Sequence, residues 1–276
     1  MNYRHLYHAG NFADITKHAF LVALLQHFQQ KAKPFFVLDT HAGLGRYDLG
    51  REEAQKRHEY ASGFSRLFET EVHHAALIKL KAIINEEQLG ARVIYPGSPL
   101  IASHFIGPKD RLVLVEKHPE TCAKLRYELG TDQRMSVHQR DAYEALKALL
   151  PMEPRRGLIL IDPPYELKDE YQRLAEGLKT AYLRFPQGVY LIWYPIKADS
   201  THLPLANTLF DLGVKEALRI EHRVMPDEAP GLLGSGLLML NPPWGFAEEQ
   251  LLLAEELAIL LNRKTTADFS YKKFTN

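Results

Sequence analysis

Apolar positions along the chain change their period several times, and each change marks an element. Phe12, Ile15, Ala19, Val22 and Leu25 recur at helical spacing, with Asp14, Lys17, His18 and Leu21 on a neighbouring stripe, so a first helix is predicted. Pro34 punctuates it, and Phe35-Phe36-Val37-Leu38-Asp39 reads as a short buried strand that ends in an acid. The loop Thr40-His41-Ala42-Gly43-Leu44-Gly45-Arg46-Tyr47 follows. From Asp48 to Tyr95 the sequence is charged, helix-favouring and poor in strand signals, with breaks at Gly63 and Gly90. The expected organisation is therefore a core of residues 1–47 and 96–276 carrying an inserted helical subdomain at 48–95.

Apolar runs at 111–116, 135–139, 158–161 and 188–194 then alternate with helical patterns at 119–129, 143–150 and 169–184. Asp39, Glu116, Asp141 and Asp162 close four successive strands. That regularity predicts an α/β fold with a doubly wound, mostly parallel sheet. Residues 217–224 and 236–241 predict a late antiparallel hairpin around the Pro/Gly-rich stretch 226–234, followed by a helix over 247–261 and a polar tail from Thr265.

Composition changes this picture little. Apolar residues make up 46% of 276, enough for a large core, and the formal net charge is zero, so only a local basic patch can serve a polyanionic partner. The single cysteine, Cys122, excludes an internal disulfide and a Cys-rich zinc site, and reads as a small buried hydrophobe. No apolar run approaches the length of about 18 residues that spans a membrane. Arg4, His5 and His8 interrupt the start, so no signal-peptide pattern is present. A soluble cytoplasmic protein, without a membrane partner, is expected.

The chemistry concentrates in Asp162-Pro163-Pro164-Tyr165, delivered at the end of the Leu158-Ile159-Leu160-Ile161 run. Two prolines remove two N–H donors and leave the neighbouring carbonyls as acceptors. An acid, a free carbonyl and an aromatic face suit a flat ring with an exocyclic amine, with Tyr165 stacking on the ring. On that reading Tyr165→Phe should be silent and Tyr165→Ala should not.

Gly43-x-Gly45 invites a dinucleotide reading, but Asp48 occupies the place of the third glycine, which argues against a dehydrogenase. The loop is either a plain strand-to-helix turn or a close approach to the amino-acid end of S-adenosylmethionine, which carries no pyrophosphate. Glu116 then falls where a nucleoside fold keeps an acid for ribose hydroxyls, and Asp141 where it would hold the adenine amine. Each alone also reads as a strand-end cap. His5, His8, His18 and His41 surround the first strand, but no carboxylate or cysteine stands at ligand spacing, so no metal is expected. His18 and His41 read instead as cofactor contacts or as supports of the loop. Asp14 and Lys17 read as a solvated helix pair.

Asn241-Pro242-Pro243-Trp244 is a second, competing match, since an asparagine carbonyl also accepts. Order favours Asp162, because Asn241 comes after the parallel sheet is built and reads as the end of an edge strand.

The stretches Asn11 to His18, Asp39 to Tyr47, Tyr95-Pro-Gly-Ser-Pro99, Glu116-Lys-His-Pro119 and Asp162 to Tyr165 together resemble the ribosomal large-subunit methyltransferase J family. That family methylates an adenine N6 of bacterial 23S ribosomal RNA with S-adenosylmethionine on a Rossmann-like fold. The resemblance implies that His18, His41, Ser98, Glu116, Asp141, Ala142 and Asp162 contact the cofactor, beside Gly43 and Gly45. It implies that Asp162, with Pro163 and Tyr165, is catalytic, that Lys17 lies near the target base, and that Tyr3, Arg4 and His5 touch RNA. It further implies 23S rRNA or its assembly precursor as partner and a monomeric enzyme. Arg4, Lys17, Arg46, Arg51, Lys56 and Arg57 are candidates for phosphate. Rival readings are an adenine-N6 methyltransferase acting on DNA or another RNA, a glutamine methyltransferase, for which Asn would suit better than Asp162, and a non-catalytic RNA-binding module.

Overall fold

A computed structural model of the chain describes residues 5–199, 213–225, 231–261 and 268–273. A 3-10 turn at His5–Tyr7 leads into α1 (Phe12–Gln29), which starts where the Asn11 side chain accepts from the N–H groups of Ala13 and Asp14. β1 (Phe36–Asp39) is followed by β2 (Arg46–Asp48), the helices α2 (Glu52–Arg57), α3 (Phe64–Glu69) and α4 (Ala75–Glu86), and β3 (Ile94–Pro96). Next come α5 (Ser98–Ser103), β4 (Arg111–Glu116), α6 (Pro119–Leu129), β5 (Met135–Gln139), α7 (Ala142–Leu149), β6 (Gly157–Ile161), α8 (Glu170–Arg184) and β7 (Val189–Ile196). The chain closes with β8 (Glu216–Arg223), β9 (Gly234–Leu240), α9 (Phe246–Glu249), α10 (Leu251–Leu261) and β10 (Asp268–Lys273).

Among the described residues the main sheet runs β10-β8-β9-β7-β6-β1-β4-β5. The strands from β7 to β5 pair in parallel, whereas β9 is antiparallel to both β7 and β8. The chain moves outward from β1 through β4 to β5 and then returns to lay β6 on the other side of β1. That reversal opens a crevice at the carboxyl ends of β1 and β6, where doubly wound sheets bind ligands.

The central strands read as unbroken apolar runs because both faces of the sheet are covered. Leu158 and Leu160 pack with Val37 and Leu112 in the cluster that contains α1, and Ile159 and Ile161 pack with Phe36 and Leu38 in the cluster that contains α7 and α8. α1 is enclosed almost all round, which sequence periodicity did not anticipate. Asp14, Thr16, Lys17 and His18 are buried along with its apolar residues, so Asp14 and Lys17 are not a solvated pair.

Four further differences have local causes. β2 pairs antiparallel with β3, and the Gly97 N–H donates to the Gly45 carbonyl at 2.7 Å, so the ends of the charged stretch are stitched together behind the glycine loop. The closing helix is broken at Gln250 into α9 and α10. The polar tail contributes β10, antiparallel to β8. β9 lies between β7 and β8, so Asn241 does not end an edge strand. Most of the Pro/Gly-rich stretch 226–234 lies outside the described residues.

Candidate active site

The loop after β1 is fastened to both neighbouring strands. The Ala42 N–H donates to the Val115 carbonyl at 2.9 Å and the Gly43 N–H to Glu116 Oε2 at 3.0 Å, while the Thr40 N–H reaches the Leu160 carbonyl at 3.0 Å. Gly43 and Gly45 have φ of +65° and +79°, and a Cβ on Gly43 would meet the Tyr47 hydroxyl at 2.3 Å. Both positions therefore need glycine. Tyr47 was not anticipated: its ring is buried and its hydroxyl accepts from the Leu44 N–H at 3.2 Å, bracing the loop from beneath.

Asp39, at the end of β1, accepts from Ser98 Oγ at 2.7 Å and from the His41 N–H at 3.2 Å. Burial nevertheless pushes its carboxyl up to about 6. His41 Nδ1 lies 2.8 Å from Thr40 Oγ1 and 3.4 Å from the Asp162 N–H, and burial pulls the ring down to about 4. The neutral ring thus links the glycine loop to the start of the Asp-Pro-Pro-Tyr turn.

A buried ionic chain reaches the same turn from α1. Lys17 Nζ donates to Asp14 Oδ1 at 2.9 Å and to Asp162 Oδ2 at 2.5 Å. Burial opposes the ammonium, but the two carboxylates outweigh it and hold Lys17 above its ordinary range. Asp14 Oδ2 accepts from the Gly10 N–H at 2.9 Å and lies 3.0 Å from His5 Nε2. His5, Asp14, Lys17 and Asp162 therefore form one continuous path. Tyr3 and Arg4 lie outside the described residues. His18, one turn along the helix face, pairs Nδ1 with the Tyr95 hydroxyl at 2.7 Å, and burial drives it down to about 3. Its Nε2 is buried with no hydrogen-bond partner among the described residues.

Glu116 uses both oxygens on backbone, Oε2 on Gly43 and Oε1 on the His118 N–H at 2.7 Å. Asp141 caps α7 through the Tyr143 N–H at 3.0 Å, with Ala142 buried behind it, and its Oδ2 accepts from Lys117 Nζ at 3.0 Å and from Arg173 at 3.1 Å. Burial raises the Asp141 carboxyl, but these donors reverse the effect and hold it below its ordinary value. The cap reading and the site reading hold together for Asp141, and the two cations were not anticipated.

Pro163 is buried behind Asp162, and Tyr165 has φ of 51°, a left-handed conformation costly for an aromatic residue. The Tyr165 hydroxyl donates to the Trp193 carbonyl at 2.6 Å, and its ring stands 4.8 Å from Tyr171 and 5.7 Å from Trp193. The hydroxyl is engaged, a contact the sequence did not reveal. At the second motif the geometry differs. Asn241 Nδ2 donates to the carbonyls of Pro186 and Gly188, both at 2.8 Å. Because β9 opposes β7, with Leu240 beside Tyr190, Asn241 lies at the amino end of β6 and β7, across the sheet from Asp162.

The proposed phosphate contacts divide. Lys17 is buried between two acids, and Arg46 pairs with Glu87 and Glu128 at 2.7 and 3.3 Å. Arg57 lies 5.9 Å from the centre of the Tyr7 ring, while Arg51 and Lys56 are exposed. The four early histidines each meet a different partner, and no group of metal-ligating residues occurs among the described residues.

The chain resembles known proteins over nearly its whole length. A family model described as ribosomal RNA large subunit methyltransferase D, RlmJ, matches residues 32–268. The ribosomal RNA large subunit methyltransferase J of Escherichia coli K12 is 41% identical over 254 residues, 90% of each chain. Its namesake in Haemophilus influenzae is 38% identical over 247 residues, 88% of each chain. A crystal structure of protein LPL1258 from Legionella pneumophila matches with a TM-score of 0.87 and 34% identity, covering 96% of this chain and 98% of that one. The motifs, the sheet order and these likenesses agree, and the chain belongs to the ribosomal RNA large subunit methyltransferase J family.

Proposed function

We propose that the protein transfers a methyl group from S-adenosylmethionine to the N6 of an adenine in 23S ribosomal RNA or its assembly precursor, acting as a cytoplasmic monomer. The observation that carries this reading is Asp162, set at the sheet's switch point beside the glycine loop, with one oxygen held by Lys17 and the other without a partner among the described residues. The residues present fit the cofactor. Two left-handed glycines let its amino-acid end approach the backbone, and the buried Nε2 of His18, without a partner among the described residues, is available as a polar contact. Glu116 would meet the ribose, and Asp141 with Ala142 the adenine. Residues 48–95 would act as an inserted subdomain that anchors the amino-terminal segment, since Phe64 N–H donates to the Gly10 carbonyl at 2.7 Å and His8 lies 2.9 Å from Glu59.

When bound, the cofactor supplies an electrophilic methyl on a sulfonium. The target amine is a poor nucleophile, because its lone pair is shared with the ring. Asp162 Oδ1 accepts one amine hydrogen and the Pro163 carbonyl the other, which turns the lone pair out of the ring and stabilises the charge that develops there. Lys17 fixes the other oxygen of Asp162. Tyr165 supplies a ring face to hold the base, a contact worth roughly 1–3 kcal/mol in comparable sites. Asp162 or water then takes the surplus proton, so no stronger base is required.

Asp162→Ala should abolish transfer while leaving affinity for S-adenosylhomocysteine partly intact by calorimetry. Near-normal turnover in that variant would sink the assignment. A DNA or other RNA substrate would use the same site, and the family likeness is what favours rRNA. A non-catalytic module would have no use for an Asp162 oxygen left without a partner, among the described residues, beside the glycine loop.

A further inference from the structure

The first turns of α8 touch both ends of the site. Arg173 donates to Asp141 Oδ2 at 3.1 Å, and its guanidinium carbon lies 4.9 Å from the centre of the Tyr143 ring. The Tyr143 hydroxyl donates to Glu170 Oε1 at 2.8 Å, and Glu170 is buried. One turn on, a Cβ at Gly177 would come within 2.6 Å of Tyr143 Cδ1, so α8 sits directly against that ring. Three positions of α8 thus grip the residue that follows Ala142. On its other side the same turn carries Tyr171, whose ring lies 4.8 Å from Tyr165. Only residues 166–169 separate Tyr165 from the helix.

Lys117 supplies Asp141 with a second cation at 3.0 Å, but its side chain is 56% exposed, and among the described residues no other contact of that ammonium is seen. It adds charge without tying Asp141 to α8. Arg173 adds charge and also sets its guanidinium over the Tyr143 ring, a broad planar contact that a compact ammonium does not reproduce.

We propose that Arg173 is a positioning residue that couples the Asp141 end of the site to the Asp162–Tyr165 turn, so that the contacts holding the cofactor's adenine also set the placement of the target base. The inference rests on the reading of Asp141 as the acceptor for that adenine. Two separable effects follow. The positive charge of Arg173 orients the Asp141 carboxylate and supports cofactor affinity. The guanidinium over the Tyr143 ring locks α8 onto α7 (residues 142–149) and thereby holds Tyr171 against Tyr165, which supports transfer once the cofactor is bound.

The test uses the full chain, S-adenosylhomocysteine titrated by calorimetry, and single-turnover methylation of unmodified rRNA at saturating S-adenosylmethionine. Asp141→Asn should weaken binding of S-adenosylhomocysteine; affinity equal to wild type there overturns the underlying reading, whatever the Arg173 variants do. Arg173→Met should weaken that binding about fivefold, the effect of one partly exposed charge-assisted hydrogen bond, and should also slow saturated transfer about fivefold. Arg173→Lys should restore affinity but not the transfer rate. If Asp141→Asn weakens binding while both Arg173 variants transfer at the wild-type rate under saturation, the coupling is wrong and the underlying reading stands. Should Arg173→Met fail to fold, as judged by its thermal transition, Arg173→Lys alone decides: a wild-type saturated rate rejects the coupling and a reduced rate with retained affinity supports it.

Discussion

Single side chains at this site are held by burial against their ordinary chemistry. His18 is kept neutral down to about 3, whereas in the unfolded chain it protonates near 6.5. Between those values the unfolded state binds more protons than the native state, so the stability that His18 contributes is complete above about 6.5 and is lost as pH falls toward 3. Asp39 acts in the opposite sense, because its raised carboxyl keeps a native proton between 3.8 and about 6. The two are separated by difference: His18→Gln should flatten the fall of the urea midpoint on acidification, and an unchanged pH profile would contradict the assignment. Tyr165 gives a second expectation at this scale. Losing its bond to the Trp193 carbonyl should cost about 1 kcal/mol of positioning, so Tyr165→Phe should slow transfer about fivefold and Tyr165→Ala considerably more. Equal rates for Phe and wild type would show that the hydroxyl plays no part.

Among elements, the sequence was most legible where a strand or helix carries its own signal. The strand 111–116, the helix 119–129 and the strand 135–139 appear with the boundaries their periodicity predicts. β2, β3 and β10 did not announce themselves. Arg46-Tyr47-Asp48 and residues 268–273 carry no apolar run, and their extended form depends on a partner strand far away in sequence. α1 misled for the converse reason. Its apolar stripe is real, but its polar residues are buried too, and only the fold reveals that Asp14 meets His5 and Lys17 meets Asp162. The close approach of α7 and α8 predicts the effect of a single methyl. Gly177→Ala gains about 1 kcal/mol of helix propensity, but its Cβ overlaps the Tyr143 ring at 2.6 Å, an overpacking that costs about 1–3 kcal/mol. Net destabilisation of about 1 kcal/mol is expected by urea unfolding, and a stabilised variant would show that the ring moves freely.

The whole molecule joins a switch-point crevice to a neutral overall charge. With 34 basic and 34 acidic residues the global field does not attract RNA, and much of the basic charge near the site is spent internally, as at Lys17, Arg46 and Arg173. On the proposed function, recognition would rest on local contacts and on the fit of one extruded base. Asp162 was legible as the fourth acid in a series of strand ends, whereas only strand direction shows that Asn241 lies at the other end of the sheet. No helix among the described residues is long and apolar enough to cross a membrane.

Transfer to an adenine amine is read out by incubating the protein with S-adenosylmethionine labelled in the methyl group and with large-subunit rRNA lacking the modification, and then digesting the RNA to nucleosides. Label recovered in N6-methyladenosine is the predicted result, and label in protein or in a cytosine nucleoside would contradict it.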